Sequence, residues 1–278
     1  MEVRPRTGLD YGLKRMTVKR PVLRYFGSKW RLAPWIISHF PEHNCYVEPY
    51  GGGGSVLLRK PAAPLEVYND LDSEVVTFFR VLRDRPEELQ RVLDATPYSF
   101  EEYKQSFDMP TDDIEIARRF MIRMWQGYAG VSGRRTGWKR QNRQWGSSRC
   151  MVLERWNKAR DIANAVERFQ TVQIEHRDAL KVIQSFDGPE TLFYLDPPYP
   201  KETRSHRWDK AYKCELDIDD HVHLLNFIKK IKGAVVLSSY PNGIYDEELK
   251  DWRRVEKDVN TISHAKKATE VLYIKNPD

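Results

Sequence analysis

Cysteine is scarce in this chain of 278 residues, which holds only Cys45, Cys150 and Cys214. An odd number of widely separated cysteines excludes a disulfide framework, and the lack of a CxxC pair excludes the common cysteine zinc sites. This cysteine usage is typical of proteins in a reducing compartment, so a cytoplasmic location is expected.

Long apolar runs are also missing, since no stretch reaches the 18 residues that would indicate a membrane-spanning helix. No membrane partner is therefore expected. The segment from Met1 to Arg6 leads into no apolar core, so a secretory signal is not expected either. At 40% hydrophobic and 31% charged residues, the chain still has enough apolar material for a buried core.

Acidic residues are absent from Ile116 to Leu153, although the chain as a whole has 40 of them. The same stretch carries nine basic residues, and the rest of the chain has a net charge of about −3 against +6 for the whole. They are Arg118, Arg119, Arg123, Arg134, Arg135, Lys139, Arg140, Arg143 and Arg149. Such local basicity indicates a polyanion-binding surface, and the alternative is an ordinary solvated basic face. The interleaved Trp125, Tyr128, Trp138 and Trp145 favour nucleic acid, because aromatic rings stack on bases.

Short apolar segments alternate with helical patterns along the chain, which predicts an α/β fold with a mostly parallel sheet covered on both faces. The predicted strands are Tyr46–Glu48, Leu65–Tyr68, Thr171–Ile174, Leu192–Leu195, Ala234–Leu237 and Val271–Ile274. Helical patterns extend from Ser73 to about Phe169 and from Asp219 to Lys230. Ser73 is a predicted N-cap, as is Ser99, which has Glu102 at capping-box spacing.

The order of these patterns predicts three regions. Residues 1–20 carry six basic residues and few apolar ones, which predicts a mobile basic arm. Residues 21–76 and 166–278 form one discontinuous α/β domain, and residues 77–165 are a mainly helical domain inserted into it. The insert includes the glycine- and arginine-rich stretch from about Gly127 to Ser148, which is too polar for a buried element.

A glycine-rich turn, Gly51 to Gly54, follows the first predicted strand, and Asp70 ends the second strand about 20 residues later. This is the arrangement of a nucleoside-cofactor site, in which the acid binds ribose hydroxyls. The pattern is not GxGxxG, and the acidic Glu48 at the end of the strand is a poor neighbour for a pyrophosphate. These two features therefore disfavour NAD and FAD as cofactors and indicate the cationic S-adenosylmethionine. The alternative is that the four glycines form an ordinary loop without a ligand.

A second motif, Asp196-Pro197-Pro198-Tyr199, follows a buried strand. Ligands of open α/β sheets bind beyond the carboxyl ends of strands. The Asp196 carboxylate and the Pro197 carbonyl offer only acceptors, and an exocyclic amino group has two donors to satisfy them. Tyr199 adds a flat ring that can stack on a base.

These motifs together resemble those of the Dam-type DNA adenine-N6 methyltransferases, the D12 class in its alpha order, and especially the prophage-encoded branch. The resemblance runs from about Pro21 to Asn276 and rests on motif order as well as on the motifs. It includes Arg24 to Lys29, Tyr46 to Gly53, Asn69-Asp70, Glu175 to Ala179, Leu195 to Tyr199, Leu237 to Tyr240 and Thr269 to Leu272. It implies a class I S-adenosylmethionine-dependent methyltransferase: a Rossmann-like, mostly parallel seven-stranded sheet, with the helical insert as target-recognition domain.

The resemblance also implies roles for individual residues. The implied cofactor-binding residues are Tyr25, Lys29, Glu48, Pro49, Tyr50, Gly51, Gly52, Gly53, Asp70, Asp178 and Asp196. Asp178 corresponds to an acid that contacts the adenine ring of the cofactor, although this chain has Ala179 where the family usually has Phe. The implied catalytic residues are Asp196, Pro197, Pro198 and Tyr199, and no metal is required.

The expected enzyme methylates N6 of an adenine that has been flipped out of duplex DNA. The expected DNA-binding residues are Arg134, Arg135, Trp138, Lys139, Arg140, Arg143 and Trp145. Three alternatives stay open. One is a cytosine-N4 methyltransferase, which usually has Ser in place of Asp196. The others are an enzyme that methylates free nucleotides or protein, which would leave the arginine-rich insert unexplained, and a non-catalytic DNA-binding module. The protein is expected to be monomeric in a prokaryotic or phage-infected cytoplasm, and a restriction endonuclease partner is possible but not required.

Three further pairs of residues have less specific interpretations. Thr203 and Arg204 resemble a recurring pair of the prophage branch and either contact DNA or brace a loop. Lys266 and Lys267 are solvated or contact a phosphate. His221 and His223 are two apart on a predicted helix, so they do not share a face and are not expected to bind metal.

Overall fold

A computed structural model describes residues 18–141, 151–204, 210–260 and 267–277. Within these ranges, seven strands form one sheet in the order β3-β2-β1-β4-β5-β7-β6. The strands are β1 (Cys45–Glu48), β2 (Leu65–Asn69), β3 (Val172–Glu175), β4 (Thr191–Leu195), β5 (Ala234–Ser239), β6 (Arg253–Asn260) and β7 (Lys267–Lys275). This confirms the predicted α/β fold with a seven-stranded sheet.

The sheet is mostly parallel. Strand β1 pairs in parallel with both β2 and β4, so that Val47 lies opposite Val67 on one side and Phe193 on the other. Only β7 runs antiparallel, between β5 and β6. The strand order reverses between β1 and β4, and the crevice at the carboxyl ends of such a pair is where open α/β sheets bind ligands.

Helices connect the strands and cover both faces of the sheet. They are α1 (Ala33–Ile37), α2 (Ser73–Asp84), α3 (Pro86–Ala95), α4 (Phe100–Gln105), α5 (Asp113–Gln126), α6 (Met151–Ala159), α7 (Ala163–Phe169), α8 (Ala179–Phe186), α9 (Ile218–Ile228) and α10 (Gly243–Glu248). All six predicted strands and the long helical stretch are present. Strand β6 was not predicted, because its sequence RRVEKDVN has no apolar alternation and it pairs only at the edge of the sheet.

The starts of two helices test the predicted caps. Ser99 caps α4, since its side chain accepts from the backbone N–H groups of Glu101 and Glu102. The cap predicted for α2 was wrong by one residue: Asp72 is the N-cap and accepts from the N–H of Glu74. Both residue types are good caps, so spacing alone does not separate them.

The core consists of two apolar clusters. One contains Val47, Phe193 and Leu237 with helices α8 and α9, and the other contains Tyr46, Tyr68 and the helices from α2 to α7. Neighbouring strand residues such as Tyr46 and Val47 fall in different clusters because side chains alternate across a sheet.

The helical stretch packs directly on the sheet domain. The ring of Phe79 stacks on that of Phe169 at 4.4 Å and lies 4.8 Å from that of Tyr68 on β2. Of the predicted basic arm, residues 1–17 lie outside the described residues, while Val18 is buried and Arg20 pairs with Asp161 at 2.6 Å. No helix among the described residues is long and apolar enough to cross a membrane.

Candidate active site

A cleft that is open to solvent lies at the carboxyl ends of β1, β2 and β4. It is lined by eleven of the predicted site residues: Tyr25, Lys29, Glu48, Pro49, Tyr50, Gly51, Gly52, Gly53, Asp70, Asp196 and Pro198. The other three predicted residues, Pro197, Tyr199 and Asp178, are not in the lining. Residues from before and after the long helical stretch thus meet in one site.

The glycine turn after β1 is held by β2. Asp70 accepts the N–H of Gly52 at 2.7 Å, and the Tyr68 hydroxyl donates to the Gly52 carbonyl at 2.7 Å. Gly52 has a φ of 45°, in the left-handed region that favours glycine. A Cβ on Gly51 would lie 2.2 Å from the Tyr68 ring, so glycine is required there by the protein's own packing.

Glu48 at the end of β1 is almost fully buried. Its Oε2 accepts from the Tyr46 hydroxyl at 2.9 Å and from the N–H of Leu57 at 3.1 Å. Burial raises the pKa of the Glu48 carboxyl to about 8, because desolvation outweighs these two hydrogen bonds. A cation beside Glu48 would favour its ionised form.

Asp70 follows β2 and accepts a second hydrogen bond, from the N–H of Asp72 at 2.8 Å. Burial raises the pKa of Asp70 to about 6, and hydrogen bonds from backbone N–H groups act in the opposite direction. Asp70 therefore shapes the glycine turn, whatever it does for a ligand. Its predicted contact with ribose hydroxyls stays a prediction.

The lining of the cleft is acidic. Five carboxylate residues, Glu48, Asp70, Asp72, Asp196 and Glu215, contribute to it against two lysines, Lys29 and Lys213. Such a lining suits a ligand that carries positive charge, and it disfavours a pyrophosphate. The residues present therefore fit S-adenosylmethionine, the cofactor expected from the sequence.

Asp196, directly after β4, forms an ion pair with Lys29. The Lys29 Nζ lies 2.8 Å from each Asp196 carboxylate oxygen and donates also to the Gly27 carbonyl at 3.1 Å. Burial raises the pKa of Asp196 to about 6, with Lys29 opposing the shift and Glu270 adding to it. Burial alone would lower the pKa of Lys29, but Asp196 and then Glu270 outweigh it and raise that pKa.

Tyr199 is 8% exposed and sits beside this pair. The Lys29 Nζ lies over its ring, 4.7 Å from the centroid, and the ring of Tyr240 meets it edge-on, also at 4.7 Å. The Tyr199 hydroxyl donates to Glu270 and lies 3.1 Å from the Ser238 hydroxyl. Sequence reasoning placed the segments of Ser238 and Glu270 in later sheet motifs but gave neither residue a role in the site.

Asp178 is exposed and caps α8, accepting from the N–H groups of Leu180 and Lys181. The next residue, Ala179, lines the cleft. Asp178 is still close enough to raise the pKa of Tyr50, second to burial. Its predicted contact with the adenine ring of a cofactor stays a prediction.

The segment 210–216 contributes lining residues that sequence reasoning missed, among them Tyr212 and Glu215. Arg204 makes two hydrogen bonds to Glu215, of 2.6 and 3.2 Å, and Glu215 also accepts the N–H of Tyr212 at 3.1 Å. Of the two interpretations of Thr203-Arg204, the loop brace is the one these contacts support. Thr203 likewise donates within the loop, to the Pro200 carbonyl at 2.7 Å.

Three arginines of the basic stretch from Ile116 to Leu153 are neutralised by acidic residues that lie outside the stretch. Arg118 pairs with Glu102 and Glu115, Arg119 pairs with Glu115, and Arg123 pairs with Glu74. These three arginines therefore belong to the ion-pair network of α5. The acids come from residues before Ile116, which a count along the stretch does not include.

Residues 127–139 form a hairpin loop beside the cleft. Gly127 and Trp138 form an antiparallel bridge, and the Tyr128 N–H donates to the Gly137 carbonyl at 3.1 Å. At the far end, the Gly133 N–H donates to the Ala211 carbonyl at 3.2 Å, next to the cleft-lining Tyr212. The loop therefore packs against the active site.

Within this loop, Arg134 and Arg135 are exposed, and the Arg135 guanidinium lies over the Phe107 ring at 4.8 Å. Trp138 is only partly exposed and packs against Tyr98 and Phe100. Arg140 is exposed. The predicted DNA-binding residues Arg143 and Trp145 lie outside the described residues.

Lys139 is half-buried near two other cations, Arg24 and Arg155. Burial lowers the pKa of Lys139 to about 8, and the charges of Arg24 and Arg155 lower it further. The Nη1 of Arg24 is buried and has no hydrogen-bond partner among the described residues. None of the three makes an ion pair with the part of the chain that the structure describes, so this surface can accept an anion.

Two of the remaining pairs can be placed. His221 is buried and its Nδ1 lies 2.9 Å from the Tyr245 hydroxyl, which gives it a packing role. His223, two residues on, is exposed. Lys266 lies outside the described residues and the backbone of Lys267 begins β7.

A mostly parallel seven-stranded sheet, a glycine turn after β1 and an Asp-Pro-Pro-Tyr motif after β4 define a class I methyltransferase. The family model for the D12 class N6 adenine-specific DNA methyltransferases matches residues 25–271. The chain belongs to this family and is an adenine-specific DNA methyltransferase, so a cytosine-N4 enzyme or a non-catalytic module is not favoured.

Two proteins similar to this chain have names that agree with the family. The type II methyltransferase M1.LlaDCHI of Lactococcus lactis subsp. cremoris is 25% identical over 245 residues, 83% of this chain and 84% of its own. The DNA adenine methylase of Escherichia coli (strain K12) is 24% identical over 123 residues, 42% of this chain and 44% of its own. A crystal structure of an rRNA methylase from Streptococcus thermophilus aligns with 94% of this chain and 99% of its own, at 7% identity and a TM-score of 0.33.

Proposed function

We propose that the chain binds S-adenosylmethionine in the cleft beside the glycine turn and methylates N6 of an adenine flipped out of duplex DNA. The observation that carries this is the position of Asp196, in the lining of the same cleft as the glycine turn, Glu48 and Asp70. A base inside the stack cannot present its amino group to this cleft, so it must be extruded at a cost of roughly a few kcal/mol.

In this proposal the acidic lining holds the cofactor. Glu48 stabilises its positive charge, and Asp70 accepts from its ribose hydroxyls. Tyr25, Tyr50 and the backbone of the glycine turn enclose it, and Asp178 reaches its adenine ring by a change of rotamer. When bound, S-adenosylmethionine supplies an electrophilic methyl group on a positively charged sulfur.

The target amino group is held by acceptors. Asp196 and the Pro197 carbonyl accept the two N6 hydrogens, which draws the nitrogen lone pair out of conjugation and makes it nucleophilic. A carboxylate has about four lone-pair positions, so Asp196 can accept from N6 while Lys29 still donates to it. Lys29 keeps Asp196 ionised, and most of the catalysis is positioning and electrostatics.

Tyr199 is proposed to stack on the flipped adenine. Base–aromatic stacking contributes roughly 1–3 kcal/mol per base. Because the ring is only 8% exposed, the base must displace part of what covers it.

DNA is proposed to bind over the hairpin loop, which carries Arg134, Arg135, Trp138 and Lys139, and to contact Arg140, Arg143 and Trp145, which follow the loop in the chain. Residues 77–165 then act as the target-recognition domain, and residues 21–76 and 166–278 as the catalytic domain. The packing of Gly133 on the segment beside Tyr212 supports this, because it brings the loop to the mouth of the cleft.

The proposal is tested by incubating the protein with methyl-labelled S-adenosylmethionine and duplex DNA, followed by nucleoside analysis. N6-methyladenine is the expected product. A duplex with 2-aminopurine at the target position should become more fluorescent on binding, because flipping unstacks the base. Methylation without any such signal would contradict the flipping step but not the chemistry.

Affinity for S-adenosylmethionine is expected to weaken as the pH falls from 7.5 to 5.5. The pKa of Glu48 is about 8 and that of Asp70 about 6, so both carboxyls take up protons over this range and lose the charge that attracts a cation. A bound cation lowers both pKa values, so binding at pH 7 should release protons. Calorimetry in two buffers of different ionisation enthalpy measures this release.

The Glu48→Gln variant should bind S-adenosylmethionine more weakly than the wild type and should release fewer protons on binding. S-adenosylhomocysteine is the matched ligand, since it shares the ammonium but lacks the sulfonium charge, and it should release fewer protons than S-adenosylmethionine. Equal release with both ligands would show that the sulfonium does not lie near these carboxyls.

DNA affinity is expected to fall as the pH rises from 7 to 9. Lys139 has a pKa of about 8 and loses its charge over this range, whereas a DNA phosphate beside it would raise that pKa. Binding at pH 8 should therefore take up protons, which calorimetry detects. Lys139→Gln should abolish the uptake and reduce the salt slope of binding by about 0.9, the value for one phosphate.

Lys158→Gln is the matched control, because Lys158 is exposed on α6. It should leave both the proton uptake and the salt slope nearly unchanged. If Lys139→Gln and Lys158→Gln behave alike, Lys139 does not contact a phosphate.

A further inference from the structure

Glu270 on β7 is 2% exposed, and three polar side chains contact its carboxylate. The Tyr199 hydroxyl donates to its Oε1, and the Ser238 hydroxyl donates to the same oxygen at 2.5 Å. The Lys29 Nζ lies 3.7 Å from that oxygen. Three separate parts of the chain thus converge on one buried acid.

These contacts connect Glu270 to both functional groups of the Asp-Pro-Pro-Tyr motif. Through the hydroxyl it holds the Tyr199 ring. Through Lys29, whose Nζ is 2.8 Å from both oxygens of Asp196, it shares the ammonium that neutralises Asp196. Removing Glu270 would take away the carboxylate partner of the Tyr199 hydroxyl and leave Asp196 as the one described carboxylate paired with Lys29.

We infer that Glu270 is a positioning residue, which fixes the ring of Tyr199 and divides the Lys29 charge between itself and Asp196. This inference rests on the proposed function, because it assigns Glu270 to the reaction in which Asp196 and Tyr199 contact the adenine. Glu270 itself makes no contact with substrate in this assignment.

The electrostatic effect of Glu270 has a definite sign. Asp196 is faced by Lys29, Glu270, Glu48, Tyr194, Tyr199 and Tyr212. Burial raises the pKa of Asp196 to about 6. Lys29 opposes this shift, and the negative charge of Glu270 adds to it. Removing the Glu270 charge lowers that pKa, so the loss of activity on the acidic side should move to lower pH.

Two substitutions separate the two effects. Glu270→Gln removes the charge and weakens the grip on the Tyr199 hydroxyl. It should lower kcat roughly 10- to 100-fold, the range for a small misplacement of reacting groups, and shift the acidic limb of kcat/KM to lower pH. Glu270→Asp keeps the negative charge but moves it away from the Tyr199 hydroxyl by one methylene. It should therefore lower kcat but leave the acidic limb of kcat/KM at the same pH.

A double-mutant cycle with Tyr199→Phe tests the link directly, because that variant keeps the ring and removes only the hydroxyl. The double variant Tyr199→Phe/Glu270→Gln should lose less kcat than the product of the two single losses. Multiplicative losses, or a Glu270→Gln enzyme with wild-type kcat and pH profile, would overturn the inference. If Glu270→Gln does not fold, the cycle is measured with Glu270→Asp.

Glu256→Gln is the charge control, since Glu256 is exposed on β6 and pairs with Arg254. It should match the wild type in kcat and in the pH profile. A wild-type protein that forms no N6-methyladenine would contradict the proposed function. An active wild type whose Glu270 variants are unchanged would contradict only the role of Glu270.

Discussion

Asp196→Ala should abolish methyl transfer, with a loss of kcat of about 1,000-fold or more. Asp196, directly after β4, is the carboxylate that we propose accepts an N6 hydrogen, and removal of one preorganised electrostatic group typically costs about 10²–10³-fold. The substitution also removes the nearer ion-pair partner of the buried Lys29 ammonium and leaves Glu270, at 3.7 Å, as the other. Turnover is measured as labelled methyl transfer to duplex DNA at saturating cofactor.

Binding of S-adenosylmethionine and DNA should survive in Asp196→Ala within about tenfold, because the glycine turn and the hairpin loop do not depend on Asp196. Asp196→Asn preserves the volume and one acceptor oxygen but not the charge, and it should be nearly as inactive. Asp251→Ala, at an exposed position, is the control and should be fully active. More than a few per cent of wild-type turnover in Asp196→Ala would rule out its assigned role.

Gly51→Ala should weaken cofactor binding and lower the thermal stability of the protein. The added Cβ would lie 2.2 Å from the Tyr68 ring, a distance that forces either the ring or the turn to move. Overpacking of this kind costs about 1–3 kcal/mol of unfolding free energy, which corresponds to a melting temperature lower by several degrees. A shift of about 1 Å in the turn also costs roughly 100-fold in turnover.

Gly243→Ala provides the matched substitution, since a Cβ there would meet nothing within 4 Å. It should leave the melting temperature and the affinity for S-adenosylmethionine nearly unchanged. Calorimetry and thermal unfolding of the two variants therefore separate the clash at Gly51 from the general effect of replacing a glycine. Wild-type affinity in Gly51→Ala would show that the turn adapts without cost.

The strands that carry the site could be predicted from local pattern because their signals are local. The apolar runs at β1, β4 and β5 indicate buried strands by themselves, and the glycine turn and the Asp-Pro-Pro-Tyr motif mark where β1 and β4 end. Strand β6 is the exception, since its charged sequence becomes a strand only by pairing with β7. Edge strands of this kind depend on their neighbour for their conformation.

Electrostatic pairing could not be predicted in the same way. Lys29 and Asp196 are 167 positions apart, and no spacing rule relates them. Arg118 stands in an acid-free stretch but pairs with Glu102, because α4 and α5 pack together, and with Glu115 one turn earlier on α5. Counting charges along the sequence therefore overestimates how many cationic side chains of residues 77–165 are free to bind an anion.

The sequence by itself determined the order of strands and helices, the glycine turn, the catalytic motif and the family, because each is encoded in residues close together in the chain. The tertiary structure decided which charges are neutralised, that Glu270 and Ser238 support Tyr199, and that the hairpin loop packs beside Tyr212. Those contacts join distant segments. They depend on how the sheet brings β4, β5 and β7 side by side, and burial then makes each pairing energetically decisive.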